Sequence, residues 1–129
     1  MSTGNSNQTL KEAAMDFLKL ASSGEVRKAY ELYVAPDFKH HNPYYKGDRE
    51  SLLKGMEDAS KSSPNKEFTM LRALQDGEMV AVHSRVIKES LDAPISVVHI
   101  FRFGGNQIIE LWDNIMLEPK EMINENGLF

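Results

Sequence analysis

Apolar residues recur at helical spacing in the first part of the chain and at strand spacing in the second. Leu10, Ala13, Ala14, Phe17, Leu18 and Ala21 repeat every three to four residues, which places them on one helical face. Thr9 precedes them as a hydroxyl N-cap and Gly24 follows as a stop, so a helix is predicted over residues 9–22. A second face, Val26, Ala29, Tyr30 and Tyr33, predicts a helix over 25–34, ending where Ala35 precedes Pro36. Residues 36–46 read as an irregular loop whose side chains hydrogen-bond and stack, the kind of segment that rims a site. Asp48 then caps a third helix, 48–60, with Leu52, Leu53 and Met56 inward, and Ser62-Ser63-Pro64-Asn65 interrupts the chain.

Beyond that break the pattern is that of strands. Four β-rich runs, 66–74, 79–88, 94–103 and 107–116, are separated by short segments rich in Gly, Asp and Ser. Short connections predict an antiparallel meander. Helices first and strands after is the order of an α+β domain whose helices cover one face of an antiparallel sheet.

Composition narrows the function classes. At 129 residues, 41% hydrophobic and 26% charged, the chain fits one soluble globular domain, expected over residues 9–129. No apolar run approaches the roughly 20 residues that span a bilayer, so a membrane is not expected as a partner. A net charge of −4 without a basic stripe argues against nucleic acid. The absence of cysteine removes disulfides, thiolate nucleophiles and cysteine metal sites, and fits a reducing compartment. Residues 1–8 are polar, without the cationic and apolar regions of a signal peptide; they are expected to fray, and the protein to be cytoplasmic.

The chemistry concentrates in the last two strands. Asp113 follows Ile109, Leu111 and Trp112, and a carboxyl in apolar surroundings is expected to have a raised pKa, suited to acid/base work. His99, Phe101 and Phe103 share one face of the preceding strand, and Ile109, Leu111 and Asp113 one face of the next. Register decides whether those faces coincide. A three-residue loop over 104–106 makes His99 and Asp113 neighbours, whereas a two-residue loop flips the parity and turns His99 toward Glu110 and Trp112. The plainer alternative makes Asp113 a structural carboxylate, capping a strand end or paired with Arg102 or Arg85. Under the three-residue loop, Arg102 and Glu110 fall on the face opposite Asp113, together with Val98, Ile100, Ile108 and Trp112. Exposed, that face is a large apolar patch, which predicts a homodimer packed through it.

Other sites find little support. The four histidines lack the helical spacing of zinc ligands, so no metal is expected. There is no phosphate-cradling glycine loop and no Gly-x-Ser-x-Gly elbow. Of the doublet at 40–41, His40 is expected to face solvent.

His-Ile-Phe-Arg at 99–102 followed by Ile-Ile-Glu-Leu-Trp-Asp at 108–113 resembles the C-terminal signature of the SnoaL-like polyketide cyclases, of the nuclear transport factor 2-like superfamily. Phe38-Lys39-His40-His41-Asn42-Pro43 with Gly47, and Asn124-Glu125-Asn126-Gly127-Leu128-Phe129, extend the resemblance. It implies an NTF2-like (cystatin-like) cone, with three N-terminal helices on a curved antiparallel sheet and a ligand pocket at the open end. It further implies cofactor-independent intramolecular aldol chemistry by Asp113 and His99 on a small apolar carbonyl compound, with His41 at the pocket mouth, and a dimer through the sheet. His83, Phe17, Tyr30, Phe101 and Leu111 complete the expected lining. Gly104-Gly105-Asn106-Gln107 departs from the acidic-Gly-Lys turn of relatives, which bears on the hairpin register. The alternative is a non-catalytic small-molecule-binding or dimerisation module of the same fold.

Overall fold

The structure is a computed structural model that describes residues 8–129; of the leader expected to fray, residues 1–8, all but Gln8 lie outside the described residues, and Gln8 Nε2 donates to the Tyr33 hydroxyl at 3.3 Å. The elements run α1 (Leu10–Ser22), α2 (Val26–Tyr33), β1 (Val34–His40), α3 (Arg49–Ser62), β2 (Glu67–Asp76), β3 (Met79–Ile87), β4 (Ile95–Gly104) and β5 (Gln107–Leu117). They form an α+β arrangement around one five-stranded sheet of order β1-β5-β4-β3-β2. No helix among the described residues is long and apolar enough to cross a membrane.

The helix starts follow from their caps. Thr9 Oγ1 accepts from the Glu12 N–H at 3.1 Å while Glu12 Oε1 accepts from the Thr9 N–H at 2.8 Å, a reciprocal box that satisfies two otherwise unpaired donors. Asp48 Oδ1 accepts from the Ser51 N–H and starts α3. α1 ends at Gly24, whose φ of +96° suits the reversal, and the Glu25 N–H closes the turn on Leu20 O at 2.9 Å.

Two expectations need correction. Part of the segment read as a loop, residues 34–40, is a strand, so β1 precedes α3 and the helices are not all N-terminal to the sheet. β1 lies parallel to β5 at the sheet edge, which makes the sheet mixed rather than wholly antiparallel. Pro36 and two charged residues weaken the strand signal there, and an edge position is where a missing proline N–H does no harm.

The hairpin at residues 104–107 resolves the register question in a third way. Gly104 pairs with Gln107, leaving a two-residue loop, Gly105-Asn106, with Gly105 at φ +62° as a type II′ turn requires. Arg102 pairs with Glu110 but Phe103 pairs with Ile108, so Ile109 is an extra residue, a β-bulge. The bulge undoes the parity flip of the short loop. His99 therefore lies directly opposite Asp113. It also turns Ile108 inward to full burial, off the outer face where alternation alone had placed it.

The helices cover the inner face of the sheet. Ala13, Ala14, Phe17 and Leu18 of α1 and Ala29, Tyr30 and Tyr33 of α2 pack against Val80, Val82, Phe101, Phe103, Ile108 and Leu111. Phe17 sits at the centre, 5.6 Å from the Tyr30 ring and 5.9 Å, edge-on, from Phe101. Truncating a buried aromatic of this kind costs about 3–5 kcal/mol. Val86, Ile95 and Val97, with Phe68 against them, form a smaller cluster farther along the sheet.

Candidate active site

Between the C-terminal half of α1, the face of α3 that carries Leu52, Met56 and Ala59, and the inner face of β2 to β5 lies a cavity of about 260 Å³. Its walls are apolar, with Leu18 and Met56 from the helices and Phe68, Val86, Ile95 and Val97 from the sheet. His99, Asp113 and Asn42 add polar groups to this lining. Tyr45 contributes to the same wall from above α3, where its ring packs so closely on Gly55 that an added Cβ would meet it at 2.4 Å.

Asp113 is partly buried and makes one side-chain hydrogen bond among the described residues. Asn42 Nδ2 donates to Asp113 Oδ2 at 2.9 Å. The amide is oriented by its own turn, because Asn42 Oδ1 accepts from the Tyr44 N–H at 3.0 Å, leaving Nδ2 as the group that reaches β5. Asp113 Oδ1 stays available to a ligand. Neither cation considered as a structural partner reaches the carboxylate: Arg102 binds Glu110 on the opposite face, and Arg85 lies over the Phe129 ring.

His99 faces Asp113 across the strand pair, yet no hydrogen bond joins the two side chains. The imidazole packs among the Phe101 and Phe68 rings, at 6.1 and 6.4 Å, and its Nδ1 is buried without a partner. Burial pushes its pKa down to about 4, against the smaller upward pull of Asp113. The ring is therefore uncharged at neutral pH, and Nε2 is the atom left to meet an occupant of the cavity.

The two histidines of the doublet exchange their expected places. Alternation along β1 turns Phe38 and His40 inward, and His40 is 5% exposed rather than solvated. Its Nδ1 accepts from the Asn42 N–H at 3.1 Å, which puts the proton of the neutral ring on Nε2, itself buried and unpartnered. Burial lowers the His40 pKa, partly offset by Asp113 and Asp48. His41 lies outside the cavity. It stacks on Trp112, ring centroids 5.0 Å apart and 3° from parallel, and its Nε2 meets Glu110 Oε2 at 2.6 Å.

None of the other expected lining residues reaches the cavity wall, although Phe101 packs behind the His99 ring. Phe17, Tyr30, Phe101 and Leu111 are at most 2% exposed, belonging to the packed core rather than the cavity wall. Tyr30 donates its hydroxyl to Met56 Sδ at 3.3 Å, and burial pushes its phenol pKa up. His83 is on the outer face, because Val82 and Ser84 take the inward positions of β3; it contacts Arg72, Ser96 and Phe129. Sequence reasoning missed Asn42, although it singled out the segment. The signal lay in Asn-Pro, where a short amide both makes the turn and reaches across to β5.

The family model of the SnoaL-like domain matches residues 14–111, which include Asn42 and His99 and stop two positions before Asp113. No curated protein sequence matches the chain significantly. Among solved structures, an uncharacterized cystatin-fold protein from Novosphingobium aromaticivorans superposes with a TM-score of 0.73 at 19% identity, over 84% of this chain and 99% of the other. Wild-type IdmH from Streptomyces antibioticus, for which a polyketide cyclase role has been put forward, gives 0.70 at 16% identity over 84% and 92%. AclR from Streptomyces galilaeus, put forward as a hydroxylase, gives 0.71 at 16% identity over 83% and 88%. These likenesses establish the fold. The two assignments differ in reaction, so the choice of chemistry rests on the site itself.

Proposed function

The chain belongs to the SnoaL-like domain family, and we propose that it acts as a cofactor-independent acid/base enzyme of aldol type on a small, largely apolar carbonyl compound. The observation that carries this reading is a carboxylate, Asp113, in an apolar cavity, oriented by Asn42 and, among the described residues, left without an ion pair opposite an uncharged histidine. A structural carboxylate would have its acceptor capacity filled.

In this reading Asp113 Oδ1 takes the proton from a carbon next to a carbonyl, leaving an enolate. Neutral His99, through Nε2–H, hydrogen-bonds the enolate oxygen, where a donor that is already in place stabilises developing charge at little reorganisation cost. The enolate carbon attacks a second carbonyl of the same molecule, a carbon–carbon bond forms, and the resulting alkoxide receives the proton that Asp113 holds. Atoms balance without an external reagent. Phe68, Val97 and Leu18 exclude water that would otherwise quench the enolate.

The first half of the reaction is testable without the natural substrate. With 2-tetralone in D₂O, the protein should accelerate exchange of the α-hydrogens, followed by proton NMR. Asp113→Asn keeps the shape and removes the base, and should slow exchange by about 10²- to 10⁴-fold, the usual contribution of general acid/base catalysis. An unchanged rate would refute the role of Asp113. Tight binding of the ketone with no exchange in the wild type would favour the non-catalytic binding module.

A further inference from the structure

The polar end formed by Asn42, His99 and Asp113 accounts for only part of the charge around the cavity. Lys66 and Lys88 line it as well. Glu67 pairs with Ile87 and Phe68 with Val86, so one step beyond the ends of β2 and β3 the same register sets Lys66 opposite Lys88. Alternation puts both on the face that carries Phe68 and Val86, the face that looks into the cavity.

Two like charges facing one another across a strand pair are destabilising. No ion pair among the described residues offsets that cost. Among the described residues neither ammonium forms an ion pair or donates a side-chain hydrogen bond, and residues 1–7 carry no acidic side chain. Glu67 is exposed, and Glu89 Oε2 is occupied by the Asn65 N–H at 3.3 Å. The C-terminal end of α3 is close, since the Lys66 N–H donates to Ser63 O at 3.4 Å, and its dipole attracts cations, but it supplies no counter-charge. Both lysines are only half exposed, and burial together with Lys88 holds the Lys66 ammonium below its usual range.

We propose that the cavity takes an elongated amphipathic anion. Its carboxylate sits between Lys66 and Lys88, its apolar body lies along Phe68, Val86, Ile95 and Val97, and its carbonyl reaches Asn42, His99 and Asp113. The assignment of the carbonyl end rests on the function proposed above; the assignment of the anionic end does not. Lys88 lies six residues along β3 from Val82, the residue paired with His99, which is roughly 20 Å of strand and an upper limit on the span. A small uncharged ketone at the Asp113 end would leave the lysine pair facing empty space. An acid held at both ends binds in one orientation, which fixes the carbon presented to Asp113.

Decanoate, methyl decanoate and decyl phosphate separate charge from chain, and their binding is read by calorimetry at low ionic strength. Decanoate should bind wild type and Asp113→Asn at least about 10-fold more tightly than its methyl ester, the margin expected of charge-assisted hydrogen bonds at a partly buried site. In a Lys66→Gln, Lys88→Gln double variant the preference should collapse to within about 2-fold, and Lys66→Arg, Lys88→Arg should restore it. Retention of the preference in the arginine pair separates charge loss from misfolding. Tighter binding of decyl phosphate than of decanoate would overturn the carboxylate in favour of a phosphate. Equal binding of acid and ester, a preference that survives the glutamine pair, or binding of none of the three overturns the proposal. Selectivity for the acid together with an Asp113→Asn protein that still exchanges 2-tetralone would leave the anion site standing and remove the catalytic reading.

Discussion

Glu110 and Asp113 lie three residues apart on β5 and point to opposite faces of the sheet. On the outer face, Glu110 is nearly buried beneath its partners: Arg102 donates through Nε at 3.0 Å and Nη2 at 2.6 Å, His41 approaches at 2.6 Å, and Lys39 lies 3.9 Å away. The His41 and Arg102 hydrogen bonds hold its carboxyl below the usual carboxylate range. On the inner face, Asp113 has one amide donor and a neutral histidine opposite. His83 on the outer face is likewise saturated, while His99 on the inner face keeps an unpartnered Nδ1. One face spends its ionisable groups on one another, and the other leaves capacity beside an apolar cavity. That contrast, more than the presence of Asp and His, marks the inner face as the site.

Exchanging each carboxylate for its amide should give crossed results, and this is the largest effect expected. Asp113→Asn should raise the barrier to 2-tetralone exchange by about 3–5 kcal/mol while leaving the thermal midpoint close to wild type. Glu110→Gln should do the reverse, costing about 1–3 kcal/mol of stability in urea because Arg102 and His41 lose a charged acceptor, with exchange within about 2-fold. Parallel losses of activity and stability in both variants would erase the distinction between the faces.

The next effect is in stability against pH. The folded-state pKa of His99 is about 4 and its ordinary value 6.5, so between those values the unfolded chain takes up a proton that the folded chain refuses. Stability therefore falls as the pH drops through this window, and His99 alone contributes about 2–4 kcal/mol to the fall. His40, lowered by burial, adds in the same direction. Urea midpoints at pH 7.5, 5.5 and 4.5 should show His99→Gln closing the gap to wild type as the pH falls. A difference that does not depend on pH would mean that His99 is solvated and outside the apolar wall.

How much of this was legible in the sequence follows from the length of each signal. α1 has six apolar positions in phase behind a hydroxyl N-cap, and five of them, Ala13, Ala14, Phe17, Leu18 and Ala21, are its buried set, with Leu10 partly buried. The four strands after residue 65 are long and alternate, and they fold where expected. β1 is short, edge-placed and interrupted by Pro36, so no local pattern outweighed its polar composition. The facing of His99 and Asp113 hung on one residue, Ile109, since a single inserted position reverses parity and carries no composition of its own. The swap of His40 and His41 has the same origin, because without β1 there was no alternation to tell them apart. Asn42 needed the distance between two segments 71 residues apart, which a single sequence does not contain.

The smallest effect expected is at His83, and it tests the outer face by its silence. Arg72 has only donors, so the contact between its guanidinium and His83 Nδ1 makes that nitrogen an acceptor, and the proton of the neutral ring resides on Nε2, which meets Ser96 Oγ at 2.9 Å. Burial and the neighbouring Arg72 charge both lower the pKa of the ring, in keeping with a neutral histidine. Glutamine can imitate this pair of roles, accepting through Oε1 and donating through Nε2. What it loses is the stack on Phe129, whose ring centroid is 6.0 Å away. His83→Gln should therefore cost no more than about 1 kcal/mol in urea, on the scale of one aromatic pair, and leave 2-tetralone exchange at the wild-type rate. An exchange rate lowered tenfold would place His83 in the catalytic machinery after all, and the division between a saturated outer face and an open inner one would not hold.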